Sequence, residues 1–157
     1  MRKHTKRKVY GLIYDPIAYI KAGISATPKD KLDKLRTREL SALEALAKGR
    51  GGIPEWRDVT EMLNIAETLA LSGVGPEVLP VCHLAQNELI AAAKRYEKTR
   101  RMGLTATGLN AVRELFAFHD AQRTAITCGE YEKAIVTTMQ RIRSHAGEVV
   151  DIAEVCV

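Results

Sequence analysis

The chain has 157 residues, of which 46% are hydrophobic and 27% are charged, a balance typical of one globular domain rather than of a disordered or membrane-embedded protein. Aromatic residues make up only 5%, so the core must consist mainly of Leu, Ile, Val and Ala side chains, which favours an all-α fold over a β-sandwich. The formal net charge is +5, and the three cysteines are an odd number spaced far apart, which argues against a disulfide framework and for a reducing compartment.

The first eight residues form a basic arm. The arm holds five cations and no acid, so the other 19 Lys and Arg of the chain balance its 19 Asp and Glu. An arm of this kind can follow a row of phosphates and displace their counterions, which indicates nucleic-acid binding; the alternative is a terminus that only improves solubility. The five cations are Arg2, Lys3, Lys6, Arg7 and Lys8.

An apolar segment, residues 9–24, follows the arm and holds three of the five tyrosines, Tyr10, Tyr14 and Tyr19. Charged residues and a proline interrupt the segment, so we expect neither a signal peptide nor a membrane span, and we expect a soluble, cytoplasmic protein. Such a segment usually docks on its own domain or on a partner. We therefore assign residues 1–26 to the basic arm and a docking segment.

Five helices, packed as one irregular bundle, are predicted between residues 27 and 147. Apolar residues recur there with the period of an amphipathic helix, and Gly, Pro and Thr separate the segments. The second helix is apolar on more than one face, which would suit a dimer. The predicted starts are Thr27, Pro54, Pro76 or Pro80, Thr105 or Thr107, and Thr127, and the predicted stops include Gly49, Gly73, Gly103 and Gly147.

The same period predicts which side chains face the core. The predicted core residues include Leu32, Leu35, Leu40, Leu43 and Leu46, then Trp56, Val59, Leu63 and Ala66, then Leu84, Leu89 and Ala92.

Residues 148–157 follow a different pattern, because they are rich in valine and therefore β-prone; an edge strand, an extended tail over the bundle and one more helical turn all remain open.

A second basic cluster lies at the predicted C-terminal end of the third helix. If this cluster and the arm share a face, they form one continuous nucleic-acid footprint. The alternative is an ordinary solvated helix end, where the helix dipole favours cations. The cluster consists of Lys94, Arg95, Lys98, Arg100 and Arg101.

No catalytic residue, metal site or cofactor is predicted. The four histidines include no i, i+4 pair, and the sequence contains no C-x-x-C, phosphate-loop or nucleophile-elbow motif. His119 is predicted to be a hydrogen-bonded structural histidine, because adjacent Asp120 points about 100° away from it on a helix. Asn64 and Glu67 could meet them across a helix interface in a buried polar network.

Five features occur in order along nearly the whole chain: Lys6-Arg7-Lys8, Asp15-Pro16, a Leu-rich helix, the stretch Asn64-Ile65-Ala66-Glu67-Thr68-Leu69, and His119-Asp120-Ala121-Gln122. In this order they resemble small helical proteins encoded by bacteriophages and prophages. The resemblance implies a phage accessory protein that binds host nucleic acid, a host regulator or a defence complex. It assigns no functional residue to the chain.

The sequence therefore predicts a non-enzymatic regulatory or accessory protein that binds nucleic acid or a nucleoprotein complex through the arm and the second basic cluster. The alternative is an inhibitor of a host protein or defence complex, docked through residues 9–24, with a homodimer as a further option. Deleting residues 1–8 separates the two, because only the first function needs the arm.

Overall fold

The computed structural model describes residues 29–144, which fold into five α-helices. No β-strand occurs within that range, and the predicted all-α bundle is confirmed there. The arm Arg2 to Lys8, the tyrosines of residues 9–24, the helix start at Thr27 and the tail 148–157 lie outside the described residues. The helices are α1 (Lys29–Ala47), α2 (Ile53–Leu71), α3 (Leu79–Thr99), α4 (Ala106–Ala125) and α5 (Cys128–Ser144), with a 3₁₀ turn at Pro76–Val78.

Helix α2 is the centre of the bundle, because it contacts all four other helices. Every side chain from Met62 to Ala70 is buried. The neighbouring helices of the same chain therefore cover the several apolar faces of α2. These apolar faces therefore do not require a dimer, and a homodimer stays a prediction.

Two clusters of apolar side chains form the core. The larger cluster joins α1, α2, α3 and α4 around Trp56, Leu63 and Leu89, and the smaller one joins α2 to α5 around Leu69 and Tyr131. Removal of this apolar surface from water is the main favourable contribution to folding.

Most helix boundaries follow the predicted signals. Thr105 Oγ1 accepts a hydrogen bond from the Gly108 amide at 3.1 Å, so α4 begins after the first of the two predicted threonines. Thr127 and Glu130 form the predicted capping box, with 3.2 Å from the Glu130 amide to Thr127 Oγ1 and 2.7 Å from the Thr127 amide to Glu130 Oε2. Pro80 lies in the first turn of α3, after the 3₁₀ turn, as one of the two predicted starts required.

Two leucines that were predicted to face the core are exposed. Leu40 keeps 37% of its surface accessible and Leu84 keeps 46%. The buried stripe of α1 instead includes Glu39, and Leu40 lies about 100° around the helix from it. In α3 the buried stripe passes through Cys82 and Gln86, and Leu84 lies about 200° from each of them.

Candidate nucleic-acid interface

The position of α3 along α2 is set by two contacts. Trp56 Nε1 donates a hydrogen bond to the carbonyl oxygen of Leu89 at 2.9 Å, and His83 Nε2 lies 3.9 Å from Glu67 Oε1. The later residue of α2 therefore contacts the earlier residue of α3, so the two helices are antiparallel. Helix α2 begins three residues before Trp56, whereas α3 continues for ten residues after Leu89. The last turns of α3 therefore extend past the beginning of α2.

Helix α4 does not flank these last turns either. Thr105, the N-cap of α4, donates a hydrogen bond from Oγ1 to Glu88 Oε2 at 3.1 Å, so α4 begins beside the middle of α3. The connection between α3 and α4 folds back over one side only, where Met102 is buried and Arg95 Nη2 donates to the Gly103 carbonyl at 3.1 Å. The C-terminal turns of α3 are thus a projecting end, covered on one side.

This projecting end carries the second basic cluster predicted from the sequence. Residues 94–101 hold five cations and one acid, Glu97, so the segment has a net charge of +4. Four of the cations are exposed, and Arg95 is half-buried by its bond to the connection. Within residues 29–144 no carboxylate forms a salt bridge with Lys94, Lys98 or Arg101. The exposed cations are Lys94, Lys98, Arg100 and Arg101.

Further cations lie at the same end of the bundle. The connection from α1 to α2 leads into the first turn of α2, which is the turn that Trp56 bonds to α3. That connection carries Lys48 and Arg50, both exposed, and Lys48 is paired with Glu44. The end of the bundle with the 48–52 and 100–105 connections is therefore rich in positive charge.

Arg100 has an unusual backbone conformation at the tip of this end. Its φ of 56° and ψ of 22° are left-handed, and among residues 29–144 it is the only residue other than glycine with a positive φ. Its backbone amide donates to the Tyr96 carbonyl oxygen at 2.7 Å, which closes the last turn of α3. Its guanidinium carbon lies 5.9 Å from the centroid of the Tyr96 ring.

A second group of polar side chains is buried around His119, at the opposite end of the bundle. His119 has no exposed surface; Nδ1 is 2.9 Å from Gln122 Oε1, and Nε2 is 2.8 Å from the Tyr131 hydroxyl. Gln122 Nε2 donates to the carbonyl oxygens of Ala66 and Val74, so its amide oxygen faces the histidine, Nδ1 carries the proton and Nε2 accepts. Burial lowers the pKa of His119 to about 3, with a further contribution from nearby positive charge. The predicted hydrogen-bonded structural histidine is confirmed.

The same end holds a buried ion pair that the sequence did not predict. Arg123 of α4 donates a hydrogen bond to Glu39 of α1, and both side chains are almost completely buried. Arg123 also bonds Asp120 at 3.2 Å from Nη1 to Oδ1, and Asp120 accepts from Arg36 Nε at 2.7 Å. Burial raises the pKa of Glu39 to about 7, and the charge of Arg123 opposes this shift. These opposite charges neutralise one another, so the group links α1 to α4.

A third polar group links α2 to α5 and corrects one expectation. Glu67 was predicted to meet His119 and Asp120; it instead accepts from Arg141 Nη2 at 2.9 Å. Thr68 also belongs to this link, because its Oγ1 accepts from Arg141 Nη1 at 2.8 Å. The partner of Glu67 was missed because Arg141 and Arg143 are basic residues in the last turn of a helix, where cations are normally solvated.

Neither the chemistry nor the comparisons point to a bound group. Within residues 29–144 no three His, Cys, Asp or Glu side chains are grouped as metal ligands would be. The buried Cys82 thiol is not activated, because burial raises its pKa to about 12. No helix in residues 29–144 has the length and apolar character needed to span a bilayer.

Comparisons with protein-family models, curated proteins and solved structures find no match for this chain.

Proposed function

We propose that the protein is a non-enzymatic, phage-type accessory protein that binds nucleic acid through the projecting end of α3. Exposed cations on this end contact the phosphates, and the basic arm Arg2 to Lys8 adds further phosphate contacts. The observation that carries the proposal is the projection itself, because it places a net charge of +4 where neither α2 nor α4 flanks it. No base-reading helix is part of the proposal, so the binding is to backbone charge.

The charge density distinguishes this end from an ordinary helix terminus. The helix dipole explains one or two cations in the last turn of a helix. It does not explain five cations in residues 94–101, three of which lack a salt-bridge partner within residues 29–144. Cations without carboxylate partners are free to replace the condensed counterions of a phosphate backbone, which favours association.

The proposal is tested by fluorescence anisotropy of a labelled oligonucleotide at low salt. The full-length chain is compared with a variant in which Lys94, Lys98 and Arg101 are all changed to glutamine, and with a deletion of residues 2–8. We expect each variant to bind several-fold more weakly than the parent and a combination of the two to abolish binding.

The matched control removes the same charge elsewhere. Lys34, Arg113 and Lys133 are exposed cations on α1, α4 and α5, and their replacement by glutamine gives the same net charge as the first variant. The control is expected to bind much like the parent. Equal losses in both triple variants would show that only net charge matters and would contradict an interface at the end of α3.

A second proposal is an inhibitor that binds a host protein. It is favoured by a groove between α2 and α5 at the opposite end, lined by Leu69, Leu71 and Val74, where Leu71 is 59% exposed. Ile126 and Ala134 line the same groove, and a contiguous apolar surface is typical of a protein-binding site, whereas a single exposed leucine is not. The variant that combines the deletion with the α3 substitutions separates the proposals, because an inhibitor would keep its target affinity.

A further inference from the structure

Arg100 occupies a position where the fold favours glycine. The chain leaves α3 through a left-handed residue, which lets Met102 turn back into the core. Glycine adopts this conformation without steric cost and is the usual residue there, whereas an L side chain is strained. The Arg100 side chain is exposed and lies outside the core clusters, so packing does not explain it. An observed strained residue of this kind points to a use for its side chain.

The side chain of Arg100 lies over an aromatic ring, that of Tyr96. Tyr96 packs against the larger apolar cluster, which holds its ring in place. The Arg100 guanidinium lies over this ring at 5.9 Å, within cation–π range, and Arg100 as a whole is exposed to solvent. Unpaired bases stack on planar groups of this kind, and the exposed cations Lys98 and Arg101 lie within two residues of Arg100 in the chain.

We propose that Arg100, backed by Tyr96, is a stacking site for an unpaired base, so that the ligand of the α3 end is single-stranded nucleic acid. This inference rests on the proposed function. The surrounding cations contact the phosphates on either side of the stacked base. A duplex keeps its bases paired and stacked inside the helix, so it gains the phosphate contacts but not the stacking contact.

The test compares two ligands of one sequence, a 20-nucleotide single strand and the corresponding duplex, with the full-length chain at one salt concentration. The parent is expected to bind the single strand more tightly. Arg100→Lys keeps the charge but removes the planar group, so it is expected to weaken single-strand binding about tenfold and to change duplex binding by less than twofold. Tyr96→Leu, which keeps an apolar side chain against the core, is expected to act in the same direction.

Arg100→Gly adds a readout that a purely structural role would not give. It relieves the left-handed strain, so its melting temperature is expected to rise while its single-strand affinity falls. Loss of both stability and affinity would mean that Arg100 serves the fold, and would overturn the inference.

Two outcomes separate this inference from the proposed function. Binding of both ligands with no effect of Arg100→Lys would overturn the stacking site and leave the phosphate-binding surface standing. Absence of binding to either ligand at low salt would overturn both. Circular dichroism of each variant shows whether it is folded. If Tyr96→Leu does not fold, Arg100→Lys, a substitution at an exposed position, decides whether the stacking site exists.

Discussion

The indole Nε1 of Trp56 donates a hydrogen bond of 2.9 Å to the main-chain carbonyl of Leu89, and this bond sets how far α3 slides along α2. Trp56 is the only tryptophan of the chain and is almost fully buried. The bond joins the first turn of α2 to the middle of α3, and the exposed cations of Lys94, Lys98, Arg100 and Arg101 all lie beyond that level. The basic surface at the α3 end therefore depends on a contact in the core.

Trp56→Phe removes the hydrogen-bond donor and part of the buried volume. We expect the free energy of unfolding to fall by about 2 to 4 kcal/mol, because a buried hydrogen bond is lost and a cavity is left. Urea denaturation followed by far-UV circular dichroism measures the change, since the variant has no tryptophan. A variant as stable as the parent would show that this contact does not hold the two helices in register.

The buried pair of Arg123 and Glu39 predicts a non-additive double-mutant cycle. Arg123→Met leaves the buried Glu39 without its cation and is expected to cost about 3 to 5 kcal/mol, whereas Glu39→Leu leaves Arg123 paired with Asp120 and is expected to cost less. The double variant is expected to be close to the parent, because two apolar side chains replace a pair whose desolvation is costly. Arg123 Nε is also buried without a hydrogen-bond partner in residues 29–144.

Urea denaturation of the four proteins gives the coupling energy of the cycle. If the two single substitutions simply add in the double variant, the charges are not coupled and the tie between α1 and α4 is not electrostatic.

His119 predicts a loss of stability in acid. Burial holds its pKa at about 3 in the folded protein, well below the ordinary value of 6.5. Between these values the unfolded chain takes up a proton that the folded chain does not, so the free energy of unfolding falls as pH is lowered from 6.5 towards 3. Because the raised pKa of Glu39 acts in the opposite direction between pH 7 and 4.5, the effect of His119 is isolated by comparison with His119→Gln.

The difference in unfolding free energy between the parent and His119→Gln is expected to be largest above pH 6.5 and to shrink on acidification. Urea titrations at half-unit pH steps measure this difference. A difference that is constant from pH 7.5 to pH 4 would mean that the pKa of His119 is the same in the folded and the unfolded protein.

The capping box at the start of α5 predicts a local effect. Thr127→Ala removes the hydroxyl that accepts from the Glu130 amide, and is expected to cost about 1 kcal/mol. Thr124→Ala, at the exposed end of α4, removes no N-cap and is expected to cost less than about 0.5 kcal/mol. Thermal unfolding compares the two, and equal effects would argue against the cap.

The sequence predicted the elements that depend on local signals. Apolar period, prolines and capping threonines act within a few residues, and the helix starts near Thr105 and Thr127 were found from them. Glu39 was missed because a charged residue in a leucine-rich helix is normally exposed, and its partner Arg123 lies 84 residues away. Burial of such a pair depends on tertiary contacts that no local pattern contains.

The candidate site was predicted only in part, because its position in the fold also depends on tertiary contacts. The cluster of cations from Lys94 to Arg101 is visible in the sequence, but its projection depends on the bond between Trp56 and Leu89 and on the contact of Thr105 with Glu88. Tyr96 and Arg100 have an i, i+4 spacing, which suggests proximity, but the left-handed backbone of Arg100 does not follow from the residue types. A shared face for the arm and this cluster stays a prediction.

The salt dependence of binding tests the central claim most directly. The affinity of the full-length chain for a duplex is measured from 50 to 300 mM salt, and the logarithm of the association constant is plotted against the logarithm of the salt concentration. We expect a steep negative slope that becomes shallower by about 2 to 3 when Lys94, Lys98 and Arg101 are changed to glutamine, since each lost phosphate contact removes about 0.9. A flat plot, or a slope that these substitutions leave unchanged, would contradict a phosphate-binding surface at the end of α3.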